Sequence, residues 1–124
     1  MKKLLLTLLG VLTMVPAFAL HFEYTYQGQT ITYTVIDENA QTCEVASYQD
    51  NRIEGDLILP SNPENNGLEY TLISISDWAF KQTGISSVTI PESVKSIGYY
   101  AFYGCNGLNK AEFSSIEHLC SIKF

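Results

Sequence analysis

The sequence predicts a β-rich α+β chain: a solenoid of about two coils, entered through an antiparallel β hairpin that caps it and followed by a short C-terminal helix. Three observations carry this. Apolar side chains alternate through residues 22–36 with a turn in the middle; the signature Ile75-x-x-x-Ala79-Phe80 recurs as Ile97-x-x-x-Ala101-Phe102, displaced by 22 residues; and Ser114-Ser-Ile-Glu117 is a helix-capping pattern.

Residues 1–19 read as a leader. Lys2 and Lys3 precede an apolar run from Leu4 to Val15, then Pro16 and the small-residue site Ala17-Phe18-Ala19. A run this short falls below the ~20 helical residues that a bilayer of ~30 Å demands. The pattern predicts a secretory signal peptide cut after Ala19, with no membrane insertion after cleavage. The mature chain is then exported, to the periplasm, the cell surface or the medium. No cysteine follows the site, so lipid attachment there is not indicated.

Residues 20–74 form a β-rich N-terminal cap with a degenerate first coil. Phe22-Glu-Tyr-Thr-Tyr26, the turn Gln27-Gly-Gln29 and residues 30–36 read as a hairpin with Ile31, Tyr33 and Val35 on one face. Asp37-Glu-Asn39 interrupts it, and a third strand follows at 42–46 with Cys43 and Val45 pointing together. Gly55 introduces Asp56-Leu-Ile-Leu-Pro60; the polar segment 61–67 leads to a further strand at 68–73. Leu59-Pro60 imitates Ile90-Pro91, which marks the degenerate coil.

Residues 75–124 carry the repeats. After one inserted residue the match continues at a displacement of 23, pairing Ile85 with Leu108, Val88 with Ala111 and Ile90 with Phe113. A coil of about 22 residues with one short strand lies within the ~20–29 of leucine-rich repeats. Side chains alternate along a strand, so Val88, Ile90, Ala111 and Phe113 point inward, and Ser87, Thr89, Lys110 and Glu112 point outward. Pro91 ends its strand. Ala79 and Ala101 leave room for Phe80 and Phe102 to stack along the interior. A helix begins at the capping pattern, with Ile116, Leu119 and Cys120 on one face and His118 solvated. Arrays of this kind need about three stacked units, because one coil cannot bury its own apolar face. The expectation is that the array is truncated here and continues beyond Phe124, or that a partner or a second copy covers its open end.

The stretch Ile85-Ser-Ser-Val-Thr-Ile-Pro-Glu-Ser-Val-Lys-Ser-Ile-Gly-Tyr-Tyr-Ala-Phe-Tyr-Gly-Cys-Asn-Gly-Leu108 resembles one full unit of the BspA-like leucine-rich-repeat proteins of bacterial surfaces, in its Ile-Pro, Ile-Gly, Ala-Phe and Gly-Cys elements. The likeness spans about residues 55–124 and weakens back to residue 22. Lys81-Gln-Thr-Gly84 departs from it by lacking the Gly-Cys pair. The resemblance implies protein-protein interaction or adhesion to host or neighbouring cells.

Composition narrows the partner. The net charge of −6 becomes −8 when Lys2 and Lys3 leave with the leader, and Arg52, Lys81, Lys95, Lys110 and Lys123 are scattered. Nucleic acid, whose recognition needs clustered cations, is therefore not a partner. Three cysteines, Cys43, Cys105 and Cys120, form no C-x-x-C pair and sit beside apolar residues, as buried hydrophobes do. A thiol enzyme or zinc site would need Cys105, His118 and Cys120 together, yet on a helix His118 and Cys120 point roughly 200° apart. Carboxylates such as Glu54 and Asp56, or Asp37 and Glu38, lack the spacing of a calcium loop. No phosphate loop, Gly-x-Ser-x-Gly elbow or His-Glu-x-x-His motif occurs. The reading is a non-catalytic binding protein without cofactor or metal, whose candidate face is Ser87, Thr89, Lys110 and Glu112. Two alternatives stand beside it: a carbohydrate-binding module, on the strength of eight Tyr, six Phe and one Trp, and a truncated array with no independent role.

Overall fold

The computed structural model describes residues 20–124; the predicted leader falls on residues 1–19, outside the described residues. Strands β1 (His21–Tyr26) and β2 (Gln29–Asp37) pair antiparallel around Gln27-Gly28, both at positive φ (51° and 82°). Such a two-residue turn matches the twist of the strands it joins. Strand β3 (Thr42–Val45) adds antiparallel to β2, and the row then changes character: β7 (Thr71–Ile75) and β9 (Ser96–Ile97) join parallel, giving the order β1-β2-β3-β7-β9. A second, wholly parallel sheet runs β10-β8-β4, from Lys110–Phe113, Gly84–Ile90 and Glu54–Ile58.

The segment expected as one strand at 68–73 divides at Tyr70. Leu68–Glu69 (β6) turns back on Glu64–Asn65 (β5) through Asn66-Gly67, while the next five residues enter the larger sheet. The cause is the Tyr70 side chain, which is buried against Phe22 at a ring separation of 5.3 Å while its N–H donates to the Pro63 carbonyl.

Between the sheets lies one continuous core holding Phe22, Ile31, Tyr33, Cys43, Val45, Leu57, Leu72, Ile75, Phe80, Ile85, Val88, Ile90 and Val94. Each fully buried aliphatic side chain here contributes roughly 1.5–3 kcal/mol. The displacement of 22 residues is legible in the backbone too. Trp78 and Tyr100 share left-handed φ values of 60° and 53°, and Gln82 and Gly104 share 57° and 77°. Phe80 and Phe102 stack with ring centroids 5.5 Å apart and planes inclined by 14°. The N–H groups of Trp78, Phe80 and Gln82 donate to the carbonyls of Tyr99, Ala101 and Tyr103. Gln82-Thr83 thus fills the place taken one pass later by Gly104-Cys105, and Thr83 Oγ1 lies 3.3 Å from Cys105 Sγ.

The single described helix, α1 (Ile116–Ser121), differs from expectation in two ways. Its N-cap is Ser115 rather than Ser114, accepting from the His118 N–H at 3.0 Å. Its buried side is His118, whose Nε2 lies 3.0 Å from the Val94 carbonyl and whose ring meets Phe113 edge-on; Ile116, Leu119 and Cys120 are exposed. The histidine face is the one that meets Val94 and Phe113, so the apolar face is left outside. Ala111 sits opposite Val88 in register as predicted, yet it is exposed, because among the described residues no further strand lies beyond β10.

Candidate partner-binding face

Parallel pairing converts the outward residues of the second sheet into two straight rows. Asp56, Ser87 and Lys110 occupy one row; Ile58, Thr89 and Glu112 occupy the next. Strands stand about 4.8 Å apart, so neighbours in a row are within hydrogen-bond reach. Ser87 Oγ donates to Asp56 Oδ1 at 2.8 Å and Thr89 Oγ1 to Glu112 Oε1 at 3.4 Å. Lys110 Nζ meets Glu112 Oε2 at 2.8 Å along its own strand. This pair shifts both groups toward their charged forms: Glu112 holds the Lys110 ammonium above its ordinary range, and Lys110 holds the Glu112 carboxyl below its own.

All four sequence-predicted residues line one cavity of about 320 Å³ together with Asp56, Ile58, Ser86 and Asn109. Sequence reasoning missed those last four. Asp56 and Ile58 were legible in principle, since Gly55-Asp-Leu-Ile-Leu-Pro aligns with Ser-Ser-Val-Thr-Ile-Pro once Leu59 is matched to Ile90. A one-residue bulge between Gly55 and Asp56 disguises that register. Asn109 enters because its N–H bonds the Ser86 carbonyl at 3.0 Å.

The residues weighed for thiol or metal chemistry are not brought together. Cys105 is buried, bonded to the Phe80 carbonyl at 3.0 Å, and Cys120 is exposed on α1. No cluster of three metal-ligating side chains occurs among the described residues. The aromatic flank packs mainly on itself. Trp78 stacks on Tyr100 at 4.7 Å, Tyr103 meets both rings edge-on at 5.7 Å, and Lys81 Nζ lies 5.3 Å from the Trp78 ring. Tyr99 stays 72% exposed and Tyr103 52%. Among the described residues no helix is long and apolar enough to cross a membrane.

Comparison with known proteins agrees with this geometry. Residues 60–124 match the family model described as BspA type leucine rich repeat region (6 copies). A solved leucine-rich repeat protein from Bacteroides capillosus is 33% identical, over 68% of this chain and 61% of that one, with a TM-score of 0.58. A leucine rich cell surface protein from Faecalibacterium prausnitzii shares the fold at 24% identity and a TM-score of 0.57, over 76% of this chain and 24% of that one. The chain therefore spans less than two thirds of either structure's length. No curated protein matches the sequence.

Proposed function

Because the chain belongs to the BspA-type leucine-rich repeat family, whose repeats generally mediate protein interactions, we propose that it is exported by its first 19 residues and binds a protein at the bacterial surface without catalysing a reaction. On this reading residues 20–74 are the capping region with a degenerate first coil, and residues 75–124 are about two coils of the array.

The observation that supports the reading is the cavity on the β4–β8–β10 face, where Ser87, Thr89, Lys110 and Glu112 converge on residues of all three strands. Side chains held at a fixed strand spacing by a rigid scaffold lose little freedom on binding, so a modest surface yields useful affinity. The test is adhesion of protein-coated beads to an epithelial monolayer. Adhesion should fall on Thr89→Trp and Lys110→Glu, and on protease treatment of the monolayer. Beads that never adhere, or adhere equally with both variants, reject it. Fractionation of expressing cells checks export: the secreted form should begin at Leu20.

The exposure of Tyr99 and Tyr103 favours a second reading, a carbohydrate-binding flank. Glycan-array binding abolished by Tyr103→Ala would support it, and bead adhesion would then survive protease but not glycosidase treatment.

A further inference from the structure

The larger sheet carries a second concavity, of about 460 Å³, on the face away from the core. Its floor is one residue-row across the strands: Glu44 on β3 pairs with Ser74 on β7, Ser74 with Ser96 on β9, and Ser96 with Lys123. Ser47, Ser76, Asp77 and Gly98 stand in the walls with Ile75, Ile97 and Phe124. Within the concavity a carboxylate therefore stands at one end of this row, an ammonium at the other, and two hydroxyls between them; past Glu44 the row leaves the concavity through Thr34 to His21. Three strand spacings of about 4.8 Å separate the ends by roughly 14 Å.

These charges are not consumed internally. Glu44 accepts a hydrogen bond from Ser74 Oγ at 3.1 Å, and its carboxylate has no cationic partner among the described residues. Lys123 forms no ion pair there either. A neutral glycan would leave both ends unmatched and partly desolvated, which costs free energy. A uniformly charged ligand would satisfy one end and be repelled at the other.

An extended peptide fits the spacing. At roughly 3.3 Å per residue, side chains four apart stand about 13 Å from each other and on the same side of the strand. We propose that this groove binds an extended segment of a partner protein carrying a basic and an acidic side chain four residues apart, the basic one at Glu44 and the acidic one at Lys123. This surface is distinct from the β4–β8–β10 face, so either can fail alone.

The probe is the peptide Ac-Lys-Thr-Gly-Thr-Asp-NH2, titrated into the isotope-labelled protein and followed by amide chemical shifts. Shifts should concentrate at Ser74, Ser76, Ser96 and Lys123. Glu44→Gln and Lys123→Gln should each weaken binding about threefold or more, and added salt should weaken it further. Exchanging both charges, as Glu44→Lys with Lys123→Glu, should restore binding, because the peptide can lie in the opposite direction. Equal binding of Ac-Gln-Thr-Gly-Thr-Asn-NH2, shifts confined to Ser87 and Thr89, or tighter binding of a neutral oligosaccharide such as cellohexaose would overturn the proposal.

Discussion

The Asp77 carboxylate accepts the Tyr99 N–H at 2.7 Å, a bond between adjacent passes of the chain across a separation of 22 residues. It exists because Gly98 has no side chain: a Cβ there would collide with Asp77 Oδ1 and lie 2.5 Å from the Asp77 backbone nitrogen. The Ile-Gly element of the repeat is thus a close backbone approach rather than a flexible hinge.

Gly98→Ala should therefore destabilise the fold by about 1–3 kcal/mol, the range for forced overpacking. Asp77→Asn, which keeps an acceptor at Oδ1, should cost far less. Urea unfolding of both variants checks the pair, and an unaffected Gly98→Ala would show that the two passes are not in this contact.

The Phe80 and Phe102 rings form one stack but are unequal in burial: Phe80 has no exposed surface, whereas Phe102 lies half-buried at the end of the row. Phe80→Ala should cost about 3–5 kcal/mol and Phe102→Ala clearly less, since the second leaves a dent open to water rather than a closed cavity. Equal losses would mean that another element covers Phe102 in solution.

That asymmetry shows what the sequence could and could not convey. The Phe80/Phe102 stack follows from identity at a fixed displacement, because equivalent residues in stacked passes must meet, and the inward Val88 and Ile90 and outward Ser87 and Thr89 follow from alternation along a strand. His118 and Cys120 were misplaced because the helix turns its His118 face onto the Val94 carbonyl and the Phe113 ring, a tertiary contact that the local apolar pattern does not record. Gln49 gave no signal at all. Its buried amide bonds the Thr32 N–H, the Thr32 carbonyl and the Ala46 carbonyl, a tertiary role that no local pattern records. Of the Glu44–Ser74–Ser96–Lys123 row only Ser74 and Ser96 share the displacement of 22, whereas Glu44 and Lys123 join it through tertiary pairing that no repeat spacing records.

The three thiols should react at sharply different rates. Burial pushes the Cys43 thiol up to about 12, Cys105 is buried on the Phe80 carbonyl, and Cys120 is exposed. Since the thiolate is the reactive species, a colorimetric thiol reagent at pH 8 should label Cys120 quickly in the native protein and the other two only in denaturant. Rapid labelling of Cys43 would contradict its place in the core.

A last prediction concerns acid. The Arg52 guanidinium and backbone N–H both bond the Asp50 carboxylate, at 2.8–3.1 Å, and lower its pKa from 3.8 to about 2. A carboxyl whose pKa is depressed in the folded state contributes stability that is present above the unfolded value and is lost as the pH falls through the folded one. The window here runs from about 3.8 down to about 2, and the contribution is small because both side chains are open to solvent and screening. Titration of the Asp50 carboxyl carbon by NMR should give a midpoint near the lower figure, moving toward the upper one in Arg52→Ala and in high salt. Because Ile53 N–H bonds the Asp50 carbonyl at 3.1 Å and Gly84 N–H bonds the Ile53 carbonyl at 2.8 Å, loosening this turn should also broaden the Gly84 amide at the start of β8. An Asp50 midpoint at the ordinary value in the unmodified protein would mean that the turn feeding β4 is not held by this pair.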